Sequence, residues 1–407
     1  MERNAQDTKE WLNEVLPSVD VHLQGLLLTD PRDYESLLSM TRTYTLDFLA
    51  PLPDDTEIII NASSGTSQMH AVWLLLASSN IYNAPRLFQV ANPVTMTPGS
   101  QRVTEIRIPF MHEESLMASA RHYIEQGAYV AAAGALDEVA RTSAYAVRRF
   151  TSQVLGKAMR AYSAWQVLDY TEALKLLTSS ANSCENCNDL LSVSALLSSQ
   201  VATLRILEKH QNSADSYKET FHNLVDLYHN CIFHAAAGDT AGCLARFWRL
   251  REGLLHHHFR SIHRVEPLVS KSTPGPSAEN EAKLDKYLAL KGKKRGNTTL
   301  NMYQLRNVLT EVFGDPKFDR MDDMMVTVKR GCSMQEMQLG KALEDLRQRR
   351  NDSCAAHGMK PVSKDTAETC ILIGKHMLAS YFSGREDEIV GYTFSPDRIS
   401  ELSKVLV

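Results

Sequence analysis

The stretch that most constrains this chain runs from Ser333 to Gly358. Leu339, Leu343 and Leu346 recur at helical spacing and define an apolar stripe. Ser333 and Glu336 have the spacing of a capping box, and Gly358, with Pro361 soon after, is suited to end a helix. These signals predict one long helix with both ends marked. Extending its stripe reaches Arg350, Cys354 and His357, so a cation and an imidazole stand where leucines stood. On a helix, Arg350 and His357 would share a face about two turns, or roughly 10 Å, apart. Turning a charged group inward is costly unless it is paired or lines a wet cleft. Two readings follow: an arginine capping a partner carboxylate beside a satisfied histidine, or a polar site set into an apolar face.

The 407 residues suffice for two or three domains with their own cores. A net charge of −4 gives no global pull toward nucleic acid, so RNA contacts must come from local basic patches. No apolar run reaches the roughly 18 residues of a membrane span. The first residues lack the basic-then-apolar layout of a secretory signal, and a cytoplasmic location is expected. Cys184 and Cys187 form a C-x-x-C without a second pair or a fitting histidine cluster, so reduced thiols are expected rather than zinc. His256, His257 and His258 would splay around a helix and not converge on one ion.

The fold class read from these patterns is α/β plus all-α. Lys9–Leu16 is expected to be a helix and Val19–Leu28 a strand. Asp33–Leu49 has helical spacing, Glu57–Ile60 is a short buried strand, Met69–Ser78 an apolar helix and Arg86–Val90 another strand. This order implies a parallel sheet, in which ligands sit beyond the carboxyl ends of the strands. The loop Ser63-Ser64-Gly65-Thr66 stands at such an end. It is either an ordinary strand-to-helix turn with an N-cap or an anion site built from hydroxyls and a helix N-terminus. It is not a Walker loop, since no Gly-Lys-Ser/Thr follows.

From Met111 to about His263 the chain reads helical, with tight hairpin turns expected near Gly127, Leu168 and Gly238. Tyr162, Trp165 and Tyr170 form an aromatic cluster, read as core packing over base stacking. Residues 267–280 read as a linker or exposed loop. Lys291–Gly296 is a basic loop that either steers RNA or is a solvated surface. Tyr303–Phe313, Asp319–Lys329, the capped helix and Asp365–Phe382 would form a bundle. The apolar positions in Ile399–Val407 serve either a dimer interface or packing on their own domain.

Arg350-Asn351, His357-Gly358 and Pro361-Val362-Ser363, near the C-terminus, resemble the signature of HEPN ribonucleases. The form is most similar to the CARF–HEPN proteins of type III CRISPR systems. Ile60–Thr66, Leu74–Ala77 and Ala84–Pro93 resemble a CARF domain and approach the wording of RNA-repair operon activators. Ala161–Trp165 with Asp169-Tyr170, and Ala245–Arg249, resemble stretches of the same CARF–HEPN proteins. The likeness covers most of the chain. One departure is plain: the first strand and ligand-contacting loop usual in a CARF domain have no counterpart before Trp11.

The resemblance implies a Rossmann-like CARF domain over residues 1–110, lacking that first strand. It implies a helical linker domain over 111–280 and a HEPN bundle over 281–407. It implies a homodimer that binds a cyclic oligoadenylate as activator and cleaves single-stranded RNA without a metal cofactor. Arg350, Asn351 and His357 would be catalytic, and Asn61, Ser63, Ser64, Gly65, Thr66, Gln68 and Gln89 would bind the ligand. No helix-turn-helix is evident, so DNA is not an expected partner. A non-catalytic CARF sensor on a HEPN scaffold, or a HEPN toxin no longer regulated by ligand, are the alternatives.

Overall fold

The computed structural model describes residues 2–406 except 29, 31, 54, 64, 80, 83–84, 92–95, 97–98, 100, 107–108, 186–189, 216–217, 270–273, 297–298 and 354–355. Contacts divide the chain into two compact units, Met1–Ser115 and Leu116–Val407.

The first unit opens with helices α1 (Glu2–Val15) and α2 (Tyr34–Leu49), the latter capped by Asp33. Strand β1 (Ile59–Asn61) leads into α3 (Ser67–Ser78) and then β2 (Arg86–Val90) and β3 (Val103–Ile106). The β1–β2 pair is parallel, as the strand–helix–strand order requires, whereas β3 returns antiparallel on β2. The expected all-parallel sheet is therefore mixed. Val19–Leu28 is not a strand, and among the described residues none precedes β1. Val19 to Gln24 alternate apolar and polar as a strand would, but Val19, Leu23 and Leu27 are exposed, and no described strand pairs with the segment. A separate core of Leu37, Ile60, Val72, Leu76 and Leu87 holds α2 and α3 against the sheet.

The second unit follows α4 (Pro109–Glu125) with antiparallel helices: α5 (Tyr129–Thr142), α6 (Ala146–Gln166), α7 (Tyr170–Cys184), α8 (Leu191–Gln211), α9 (Phe221–Ala236) and α10 (Thr240–His258). The three expected hairpin turns are present, with Gly127, Leu168 and Gly238 all at positive φ. Then come α11 (Ala278–Leu290), α12 (Met302–Phe313), α13 (Lys317–Asp322), the hairpin β4 (Met325–Arg330) and β5 (Ser333–Gln338), α14 (Leu339–Asp352), α15 (Lys364–Tyr381), α16 (Glu386–Val390) and α17 (Pro396–Ser400).

Two expectations fail here. Asp319–Lys329 is not one helix, and the capped helix begins at Leu339 rather than Ser333. Val326 and Val328 are buried on one face of β4 while Ser333–Gln338 pairs with it, the Arg330–Ser333 register leaving the two-residue turn Gly331-Cys332. β-branched alternation outweighed a capping-box spacing that arose by coincidence. Residues 267–280 match the expected loop in part: Pro274 and Pro276 are exposed, 270–273 lie outside the described residues, and 278–280 open α11. Val265–Pro267 and Val269 are buried, Arg260 pairs with Glu266 at 2.8 Å, and Glu281 accepts the Glu266 N–H at 2.8 Å.

One apolar cluster runs from Met117 to Leu406 and takes in Tyr162, Trp165 and Tyr170 as core residues. Ile399, Leu402 and Leu406 are buried in it, so this segment packs on its own unit. At its centre the Asp226 carboxylate accepts from Trp165 Nε1 (2.8 Å), Tyr170 OH (2.8 Å) and Tyr392 OH (3.0 Å). Phe394 stacks on Trp165 at 4.0 Å. Burial pushes the Asp226 carboxyl up to about 6 against the pull of those three donors. A raised folded value means that the native state holds the proton more tightly. Its stabilising contribution is therefore full below about pH 4 and lost as pH rises through about 6. Asp226→Asn should flatten that part of the stability profile in urea titrations. Asp226→Ala should cost on the order of 3–5 kcal/mol, because three buried donors lose their acceptor. A loss under about 1 kcal/mol would contradict this account.

Candidate functional site

Helix α14 buries Leu339, Leu343 and Leu346, as the stripe requires, and Arg350 continues the line half-buried. Its guanidinium lies 5.8 Å from the centre of the Trp248 ring on α10, a cation–π distance. Arg251 approaches the same ring at 5.5 Å. Asn351 is also half-buried in the last turn.

The helix does not reach His357. Ser353 turns extended, and its N–H and hydroxyl bond back to the Arg350 carbonyl at 3.1 and 2.9 Å. The chain then loops back on itself. Gly358 N–H donates to Ser353 O at 3.0 Å, Lys360 N–H donates to Asp352 O at 3.0 Å, and Ser353 pairs with Lys360. His357 is exposed on this loop, so the shared helical face is replaced by a helix end and the loop folded against it. Cys354 lies outside the described residues. Gly358 owes its place to close approach rather than to a left-handed cap: a Cβ there would sit 1.9 Å from the Asp352 carbonyl oxygen. Downstream, the Val362 carbonyl accepts from Thr240 Oγ1 at 2.7 Å, and Ser363 caps α15.

Beside α14 lies a cleft of about 470 Å³ lined in part by Trp248, Arg251, Arg306, Arg347 and Tyr303. Arg306 is held by Asp322 and Asp319. Burial draws Arg251 down to about 10 and pushes Asp322 up. The sequence reading missed this cleft because its arginines are spread over three helices. Of the basic loop, Arg295 is tied to Glu281 and Asp285 and is not available to a ligand.

In the first unit, the β1–α3 loop stands at the carboxyl ends of the two parallel strands. Asn61 Oδ1 accepts from Ser63 N–H at 3.1 Å and from the Ser63 hydroxyl. The same hydroxyl accepts from Val90 N–H, so Ser63 binds the loop to the end of β2. Gly65 has φ 115°, and a Cβ would meet Met69 Sδ at 2.8 Å. Thr66 caps α3, accepting from Met69 N–H at 3.4 Å. Gln68 is half-buried in the first turn and Gln89 is exposed on β2. Ser64 lies outside the described residues.

No protein-family profile and no curated protein matches the sequence. Among solved structures, Enterococcus italicus Csm6 bound to cyclic hexa-2′-fluoro-hexa-dAMP matches with a TM-score of 0.50. The match has 12% identity and covers 96% of this chain and 85% of that one. The chain has the fold of a CARF–HEPN protein. The likeness is one of fold, at 12% identity. The α14 end and the β1–α3 loop belong to different units.

Gly358→Ala should force the returning loop off the helix end. Hydrogen exchange at the Lys360 amide should then rise toward that of a free amide while the core of α15 stays protected. Unchanged protection at Lys360 would show that the close approach does not hold the loop.

Proposed function

We propose that the chain is a homodimeric endoribonuclease that cleaves single-stranded RNA by attack of the ribose 2′-hydroxyl on its own phosphate. A cyclic oligoadenylate bound at the β1–α3 loop would activate it. The reading rests chiefly on Arg350, half-buried against Trp248 at the helix end from which the His357 loop departs. The nucleophile is part of the substrate, so the protein has to supply proton transfer and charge neutralisation. His357, exposed at the loop, is the acid–base group. Arg350 offers a planar fork to two phosphate oxygens. Asn351, in the same turn, orients the phosphate or the ribose. The neighbouring cleft, where Arg251, Arg306 and Arg347 stand among Asp322 and Glu344, has Tyr303 72% exposed at its edge, an aromatic face for a stacked base. One Arg350–His357 pair is half of a HEPN site, so a second copy completes it.

A second reading has a specific observation behind it. Ser63 spends its hydroxyl on Asn61 and Val90, and no described strand precedes β1. A ribonuclease that has lost its activator fits these facts.

Arg350→Ala or His357→Ala should lower RNA cleavage by at least about 10³-fold in a folded dimer, and EDTA should not. Full activity in either variant, or EDTA inhibition reversed by metal while the melting temperature stays unchanged, would refute the mechanism. Gly65→Val and Thr66→Leu should abolish activation by rings of four or six adenylates while sparing basal cleavage. Calorimetry that detects neither ring, with strong unstimulated cleavage, would favour the second reading.

A further inference from the structure

A polar cluster at the end of α10 belongs to neither site. After His258 the residues Phe259–His263 form a π-helical turn, closed by Arg264 at φ 57°. Left-handed backbone at a non-glycine residue costs about 1–2 kcal/mol, and π turns are rare and concentrate at functional sites. Residues i and i+5 lie about 140° apart around an α-helix, whereas one wider turn returns them to the same side. His258 and His263 accordingly stand with ring centres 5.3 Å apart. Both converge on Asp315 in the turn after α12. His258 Nε2 is 2.7 Å and His263 Nε2 2.9 Å from the same oxygen, Oδ2. All three side chains are sheltered, at 2, 13 and 20% exposure.

We propose that His258, His263 and Asp315 bind a divalent first-row transition metal ion of the zinc type. The donor atoms already lie within 4.8 Å of one another. Two imidazoles and one carboxylate suit zinc, iron or nickel rather than magnesium or calcium. Bonds of about 2.0–2.2 Å in a tetrahedron set donor separations near roughly 3.3 Å, so the present hydrogen-bonded atoms part by about half an ångström. Each ring moves its proton from Nε2 to Nδ1, freeing the Nε2 lone pair. For His258 that Nδ1 faces the Tyr381 hydroxyl at 3.3 Å, the kind of outer partner that fixes the tautomer of a ligating histidine. Asp315 Oδ1 accepts the Lys317 N–H at 3.0 Å, leaving Oδ2 as a single-oxygen ligand. Three protein ligands leave a fourth position for water or a small anion. Asp315 also borders a cavity of about 600 Å³ whose wall carries Lys317, Arg320 and Glu386, so solvent has access to that side of the cluster. The ion would fasten the π turn to a segment 52 residues further on. It shares no residue with the set Arg350, Asn351 and His357, and the inference does not rest on the ribonuclease reading.

The test is titration of chelator-stripped full-length protein with zinc chloride by calorimetry, and with cobalt chloride by visible absorption. One ion per chain should bind, with a raised melting temperature and the intense visible bands of tetrahedral cobalt. His263→Ala and Asp315→Asn should each weaken zinc by at least about tenfold to 100-fold. Cys332→Ser, which removes an exposed free thiol, should change nothing. If His263→Ala fails to fold by circular dichroism, Asp315→Asn decides. The absence of saturable binding would make the cluster a hydrogen-bonded clip and overturn the proposal. Binding that survives Asp315→Asn, or that vanishes with Cys332→Ser, would overturn it equally.

Discussion

The Asp226 carboxylate is the interaction on which the second unit turns. It gathers Trp165 from α6, Tyr170 from α7 and Tyr392 from the C-terminal segment around one buried charge. The same segment is threaded among the middle helices by other means. Gln200 donates to the Thr393 carbonyl at 2.9 Å, and His229 donates to the Ile389 carbonyl at 2.7 Å. Phe394 lies nearly parallel to Trp165. A buried carboxylate without such donors would be ruinous, and with them it specifies one arrangement of helices. The helices α9 and α10, which present Trp248 to Arg350, are therefore fixed partly by residues far along the chain.

The loop after α14 illustrates how backbone rather than side chains places a residue. Arg350 ends a helix, Ser353 returns two hydrogen bonds to its carbonyl, and the chain reverses against Asp352 where only a glycine fits. His357 placed this way is exposed, whereas a histidine buried two turns along a helix would not be.

Much of this was legible in the sequence, for identifiable reasons. Leu339, Leu343 and Leu346 are buried because periodicity reports directly which face leaves water. Thr66 caps the helix it precedes, as the strand-to-helix turn reading required, because an N-cap acts within one turn. Arg350 continuing the stripe was readable for the same reason. What stayed hidden depends on pairing between distant residues. The β4–β5 hairpin was concealed by a chance capping-box spacing, although Val326-Thr327-Val328 carried the strand signal. The convergence of His258, His263 and Asp315 needs a π turn, for which the letters give no warning. The role of Gly358 depends on how close the chain returns to Asp352, and a single sequence does not contain that distance.

The most direct measurement is the chemistry of the ends left on cleaved RNA. Fragments from a single-stranded oligonucleotide would be analysed by mass spectrometry, beside the matched strand carrying 2′-deoxyribose throughout. The account predicts 2′,3′-cyclic phosphate and 5′-hydroxyl ends from RNA and no cleavage of the deoxy strand. Fragments ending in 3′-hydroxyl and 5′-phosphate, or cleavage of the deoxy strand, would contradict it.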